Sequence, residues 1–178
     1  MDIDFSELDP RQRYKLLASL IVPRPIALVT SRDADGLVNA APFSFFNCFG
    51  VDPALVILSV GNRGADVPKD TAANIEATGV FVVNLVDEPM AGRMHASSAD
   101  FPPGVNELEA VGFTAGPCAG TEVPRIVESP ASFACRLHNV QHIGNNRVIL
   151  GEVLAATVRA GLVDGQTWRV DGEALRMV

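Results

Sequence analysis

Short runs of aliphatic and β-branched residues, each closed by turn residues, dominate this chain. Leu55 to Val60 and Val80 to Val86 are the clearest, and their near-continuous Val, Ile and Leu content predicts buried strands. Ile26 to Ser31 reads as another strand, entered through Pro23 and Pro25, which hold the preceding backbone extended. Asp33-Ala34-Asp35-Gly36 is a turn signal, after which Leu37 to Ser44 returns as a hairpin partner. Ser132 to Val140, Arg147 to Ala156 and Thr167 to Val170 supply later strands. Helical patterning is rarer. Arg11 to Leu20 is opened by Asp9 as cap and Pro10 in the first turn, with Leu16, Leu17 and Leu20 on an apolar face. Thr71 to Thr78 is a short helix stopped by Gly79, and Glu88 to His95 forms another. Strands outnumber helices and are not spaced as repeated βαβ units. The pattern predicts a mainly β fold with helical insertions, a largely antiparallel barrel whose closure removes exposed sheet edges.

The 178 residues suit a single domain over 1–178, long enough to bury a core without disulfides or a structural metal. Hydrophobic residues are 48% of the total and charged ones 20%, the balance of an ordinary folded chain. No apolar run is long enough to span a bilayer, and the start lacks the basic and apolar stretches of a signal peptide, so a cytoplasmic location without membrane contact is expected. A net charge of -7 with 14 scattered basic residues argues against nucleic acid, although a local pocket for a small anion is compatible with it. Cys48, Cys118 and Cys135 show no CxxC spacing and read as reduced thiols. His95, His138 and His142 lack ligand spacing, so no metal site is expected.

Three stretches are candidates for chemistry. In Pro68-Lys69-Asp70-Thr71-Ala72-Ala73-Asn74, Asp70 or Thr71 caps a helix. A phosphate placed there would meet free N–H groups, the positive helix end and the Lys69 ammonium together, with Asn74 one turn along the same face. The same residues also describe an ordinary capped surface helix. In Asn39 to Asn47, Pro42, Phe43, Ser44 and Phe45 alternate between small or polar and aromatic, a mixed wall for a flat ring or simply core filler. Ser59-Val60-Gly61-Asn62-Arg63-Gly64 closes a strand with turn residues and matches neither a Walker loop nor the GxGxxG fingerprint. No Ser-His-Asp or Cys-His set stands out. Hydride transfer to a bound flavin needs none, because the cofactor supplies the reactive centre.

Val22-Pro23-Arg24-Pro25-Ile26-Ala27-Leu28-Val29, Asn39 to Asn47, Asp52-Pro53, Ser59, Lys69-Asp70-Thr71 to Asn74-Ile75 and Gly151-Glu152-Val153 occur in one order. In that order they resemble the flavin reductase-like, FMN-binding split-barrel family. The resemblance implies a Greek-key split β-barrel and a homodimer with FMN near the subunit interface. It also implies NAD(P)H-dependent flavin reduction, with NADH or NADPH as donor and a free flavin, partner protein or small acceptor receiving the electrons. A non-catalytic FMN electron carrier and a related split-barrel oxidase are the alternatives. By resemblance Lys69, Thr71 and Asn74 hold the phosphate end with Ser59 and Gly61 nearby, and Asp70 belongs to the same cofactor-binding set. Pro42, Phe43, Ser44 and Phe45 border the ribityl chain and ring, and Arg24 is a further candidate. Relatives often carry Gly-Asp-His before the late barrel strand, where this chain has Gly144-Asn145-Asn146-Arg147. They also often continue with Arg-Leu-Gly-Gly, so a tail past Val178 is expected.

Overall fold

The computed structural model describes every residue except 65, 100 and 103. Helix α1 (Pro10–Leu20) starts on a reciprocal cap: Asp9 accepts from the Gln12 N–H at 2.8 Å while the Gln12 side chain accepts from the Asp9 N–H at 2.9 Å. Strands β1 (Ala27–Arg32) and β2 (Val38–Phe43) form the expected hairpin. The Asp33 carboxylate accepts from the Asp35 and Leu37 N–H groups, and Gly36 supplies the φ of +87° that the turn needs. Next come β3 (Phe46–Val51), β4 (Ala54–Gly61), α2 (Asp70–Thr78) and β5 (Val80–Leu85), with Gly79 ending α2 in the left-handed region. A 3₁₀ turn at Glu88–Met90 runs into α3 (Ala91–Ala96). Then follow α4 (Glu107–Ala110), the hairpin β6 (Ala115–Cys118) and β7 (Thr121–Ile126), the long pair β8 (Ala131–Ile143) and β9 (Asn146–Val158), and α5 (Gly172–Leu175).

Seven strands form one antiparallel sheet in the order β2-β1-β5-β8-β9-β4-β3. The sheet curls until β2 meets β4, while the Ser59 N–H donates to the Phe45 carbonyl at 2.9 Å, one step beyond the Phe46–Leu58 pairing of β3 with β4. Its concave side is filled by Val29, Leu58, Val60, Phe81, Val83 and Ile149, with Ile75 of α2 closing one end. A second cluster, including Leu28, Val86, Met90, Leu108 and Ile126, packs outside the β1–β2 wall. The result is the mainly β, split-barrel architecture expected from the sequence, with helices inserted between strands rather than alternating with them.

Three departures have local causes. Strand β3 was not foreseen, because Asn47, Cys48 and Gly50 break its apolar pattern and a bulge separates Cys48 from Gly50. The β6–β7 hairpin carries Gly116, Pro117 and Pro124, residues that argue against strands unless they lie at an edge. Conversely, the expected strand Thr167–Val170 is a loop. Trp168 takes a positive φ of 59°, and pairing is confined to a single Val163–Val170 bridge. The apolar run that opens β9 continues into Gly151, whose missing Cβ makes room for a neighbour: a methyl group there would lie 2.4 Å from Cζ of the wholly buried Phe81. Gly151→Ala is expected to destabilise the fold by about 1–3 kcal/mol through overpacking, read as a fall in the urea midpoint. An unchanged midpoint would mean that the ring moves aside freely.

Candidate functional site

The start of α2 is the feature around which a site is built. Neither Asp70 nor Thr71 caps the helix, as the sequence had suggested. Lys69 occupies the cap position without a side-chain hydrogen bond. Asp70 instead pairs with Arg63 at 2.5 Å, and Thr71 is drawn inward against Asn39. Among the described residues nothing accepts from the N–H groups of Asp70, Thr71 and Ala72. This helix end therefore presents free donors, a partial positive charge and two cationic side chains on one side.

A cavity of about 110 Å³ opens beside it, walled by Pro42, Phe43, Arg63, Lys69, Thr71 and Glu107. A neighbouring space of about 280 Å³ extends toward Asp33, Asn74 and Phe101. Asn62 joins Arg63, Lys69 and Phe101 around the open approach to the helix start. Strand β2 forms the cavity wall because its pairing with β1 turns Asn39 inward and carries Pro42 and Phe43 to the rim.

Glu107 closes the wall from the first turn of α4. One carboxylate oxygen accepts from the Ala40 N–H at 3.2 Å. The other accepts from the Asn39 side-chain nitrogen at 3.2 Å, while the Asn39 oxygen accepts from the Thr71 hydroxyl at 2.9 Å. The reverse amide orientation would set oxygen against carboxylate. Loss of water around Glu107 raises its carboxyl above the ordinary value, outweighing the backbone N–H groups that favour the ion. Asp70 adds repulsion, and Arg63 opposes it.

The remaining expected site residues are dispersed. Asn74 is buried and donates to the Ser31 hydroxyl at 3.2 Å, so it borders the second space rather than the helix start. Ser44 and Phe45 lie on the bend after β2 and face a separate apolar groove with Leu17, Ile21 and Phe46. Arg24 lines the same groove, but its guanidinium donates to the Ala18 and Ile21 carbonyls and closes the C-terminus of α1. Ser59 and Gly61 belong to β4, paired with Val148 and Asn146 of β9, and neither lines the spaces around Lys69. Asn62 and Arg63, the turn residues that follow them, do. Glu107 and Phe101 had no local sequence signal, because they reach the site only through the path from α3 to α4.

Other reactive groups lie elsewhere. Burial pushes the Cys135 thiol up to about 12, and Cys118 is raised for the same reason, so both are held as unreactive thiols. No group of His, Cys, Asp and Glu among the described residues is arranged to hold a metal ion.

An antiparallel split barrel with an uncapped, cationic helix start beside a partly aromatic wall has the make-up of a flavin-binding protein. The chain belongs to the family of the flavin reductase like domain, whose model matches residues 19–169. The 2-nitrobenzoate 2-nitroreductase of Pseudomonas fluorescens is 40% identical and superimposes with a TM-score of 0.87, covering 96% of this chain and 82% of that one. Nitrilotriacetate monooxygenase component B from Bacillus cereus is 29% identical with a TM-score of 0.92, covering 100% and 92%. An NADH-dependent FAD reductase of Streptomyces globisporus is 28% identical, covering 84% of this chain and 79% of the relative.

Because the folded-state pKa of Glu107 is raised, the protonated carboxyl favours folding. That contribution is complete below the unfolded value near 4.5 and is lost as pH rises through the folded value. Glu107→Gln keeps an acceptor for Ala40 and removes the charge. Its urea midpoint is expected to gain on the wild type as pH rises from 4.5 toward neutrality, and a constant difference would show that Glu107 is not destabilised by its burial.

Proposed function

We propose that the chain, as one domain over residues 1–178, binds FMN and acts as an NAD(P)H-dependent flavin reductase. The observation that carries this is the uncapped start of α2: three free N–H groups, Lys69 and Arg63 suit a terminal phosphate. That anchor favours FMN, whose phosphate is terminal, over FAD, whose phosphates are internal. Bound FMN would supply a two-electron centre that takes hydride from NADH or NADPH and returns electrons to an acceptor. The protein's part is position. Lys69 and the α2 amides hold the anion, Asn39 to Phe43 form a wall along the ribityl chain, and the aromatic rim excludes water from one side of the ring.

Around the helix start the spaces open to the surface: about 110 and 280 Å³ along β2, and about 500 Å³ at the approach lined by Asn62, Arg63, Lys69 and Phe101, where a cofactor site usually measures roughly 300–1,000 Å³. Beside the groove of Arg24, Ser44 and Phe45, α1 has no buried residue. Leu17 and Ile21 line that groove, Tyr14 lies against its Phe45, and all three are exposed together with Leu20 of α1. So large an apolar face supports a homodimer in which a second copy completes the ring site. No helix among the described residues is long and apolar enough to cross a membrane, which supports a cytoplasmic setting.

The likeness to a nitroreductase at 40% identity favours one specific acceptor class, a nitroaromatic reduced directly by the protein-held flavin. Free flavin or a partner protein is the other route. The test is anaerobic: NADH or NADPH added to FMN-loaded protein should bleach the flavin band faster than free FMN. Restoration of the band by a nitroaromatic then identifies direct transfer. A bound flavin that stays oxidised with both donors would favour an electron carrier instead, and a one-chain mass by light scattering would overturn the shared site. Lys69→Ala should weaken FMN binding by about 1–3 kcal/mol, the loss of one charge-assisted hydrogen bond. Unchanged affinity in a fluorescence titration would place the phosphate elsewhere.

A further inference from the structure

Arg147 opens β9 and is only 7% exposed, a position that a guanidinium tolerates only when its donors are met. Its Nε donates to Glu76 Oε1 on α2 at 2.8 Å, and its Nη1 donates to Asn62 Oδ1 in the turn after β4. The Asn62 N–H donates to the Asn145 carbonyl at 2.9 Å. The turn is therefore fastened twice to the end of the β8–β9 hairpin, and Glu76 fastens that end to the helix whose start carries Lys69. His142 Nε2 lies 3.7 Å from the same Glu76 oxygen, beyond hydrogen-bond reach. Asn62 borders the open approach together with Arg63 and Lys69, whereas Arg147 stands behind it and does not line that space.

We propose that Arg147 is a positioning residue for the phosphate end of the flavin site, acting through Asn62 to set the 62–63 turn against the start of α2. The assignment rests on reading that helix start as the phosphate site. An ion pair to Glu76 alone would tie β9 to α2 and leave the turn unconstrained. The additional contact to Asn62 converts a strand-to-helix tie into one that aims the turn. Charge-assisted hydrogen bonds to phosphate depend steeply on distance and direction, so a small shift of this turn weakens them. The β2 wall and the apolar groove belong to other parts of the barrel, and contacts to the ring are unaffected. Asn145 and Asn146, which stand where the resemblance expects Asp-His, immediately precede Arg147, and the Asn145 carbonyl belongs to the same fastening.

The test compares FMN with riboflavin, which differ only in the phosphate, by fluorescence titration at fixed pH and salt. The proteins are wild type, R147M, R147K, N62A and the double variant R147M/N62A. Wild type should prefer FMN, and R147M should lose about tenfold in FMN affinity while riboflavin changes by less than about twofold. R147K should fall between, since an ammonium on that strand reaches one of the two partners. The double variant should lose no more than R147M, because Arg147 acts through Asn62. Parallel losses for both flavins, additive losses in the double variant, or unchanged FMN affinity in R147M would each overturn the assignment. If R147M does not fold, R147K and N62A carry the same comparison between flavins. Equal wild-type affinities for FMN and riboflavin would overturn the phosphate reading itself, and this assignment with it.

Discussion

A helix that starts without a cap leaves N–H groups seeking an acceptor, and the arrangement around α2 follows from that constraint. Asp70 and Thr71 both carry oxygens able to cap. The fold gives each another partner: Arg63 holds the first and Asn39 the second. The helix end stays open while the charges that would screen it are tied down. On the proposed reading that opening is the anion seat, and its donors are preorganised because α2 is pinned by Ile75 in the barrel core and by the cap at Gly79.

The polar groups behind the seat form two chains. Glu107, Asn39 and Thr71 connect α4 through β2 to α2 on one side, and Asn145, Asn62, Arg147 and Glu76 connect the β8–β9 hairpin to the same helix on the other. Each chain links segments far apart in sequence, and each contains a partly or wholly buried charge that stays in place only because its hydrogen bonds are met. A third buried network is purely architectural. Asn84 donates to the Leu28 carbonyl and accepts from the Ile126 N–H and the Ser132 hydroxyl, fixing β5 against β1, β7 and β8. Polar side chains inside this barrel thus set the register of its parts, while Val, Leu and Ile supply the burial.

The outer surface divides in a way that bears on assembly. Helix α4 buries Leu108 against the β1–β2 wall, where Met90 of the 3₁₀ turn and Phe113 are also buried and Met94 of α3 is partly covered. Helix α1 has no fully buried residue, only Leu16 and Ala18 partly covered, although its cap is well made and Arg24 closes its far end. A helix with both ends satisfied and an uncovered apolar face is stable in form but incomplete in packing. That contrast is the physical reason for reading α1 and the adjoining groove as a face between two copies.

Much of the fold was legible in the sequence because local physics determined it. The Val- and Ile-rich runs could only be buried strands, Asp33 to Gly36 could only turn, and Asp9-Pro10 and Gly79 mark helix ends through conformations few other residues adopt. Lys69, Thr71, Pro42 and Phe43 were legible as candidates for the same reason, since a helix start and a mixed strand are local features. Tertiary structure decided what local chemistry left open. It turned Asn74 inward to Ser31, and let bulges and edge positions make strands of Phe46–Val51, Ala115–Cys118 and Thr121–Ile126 despite their glycines and prolines. It also brought Glu107, Asn62 and Arg147 to the site. Glu107, Asn62, Arg147 and Asn74 each depend on a partner tens of residues away, and a side chain's role at that distance is set by the path of the backbone between them, which no local pattern encodes.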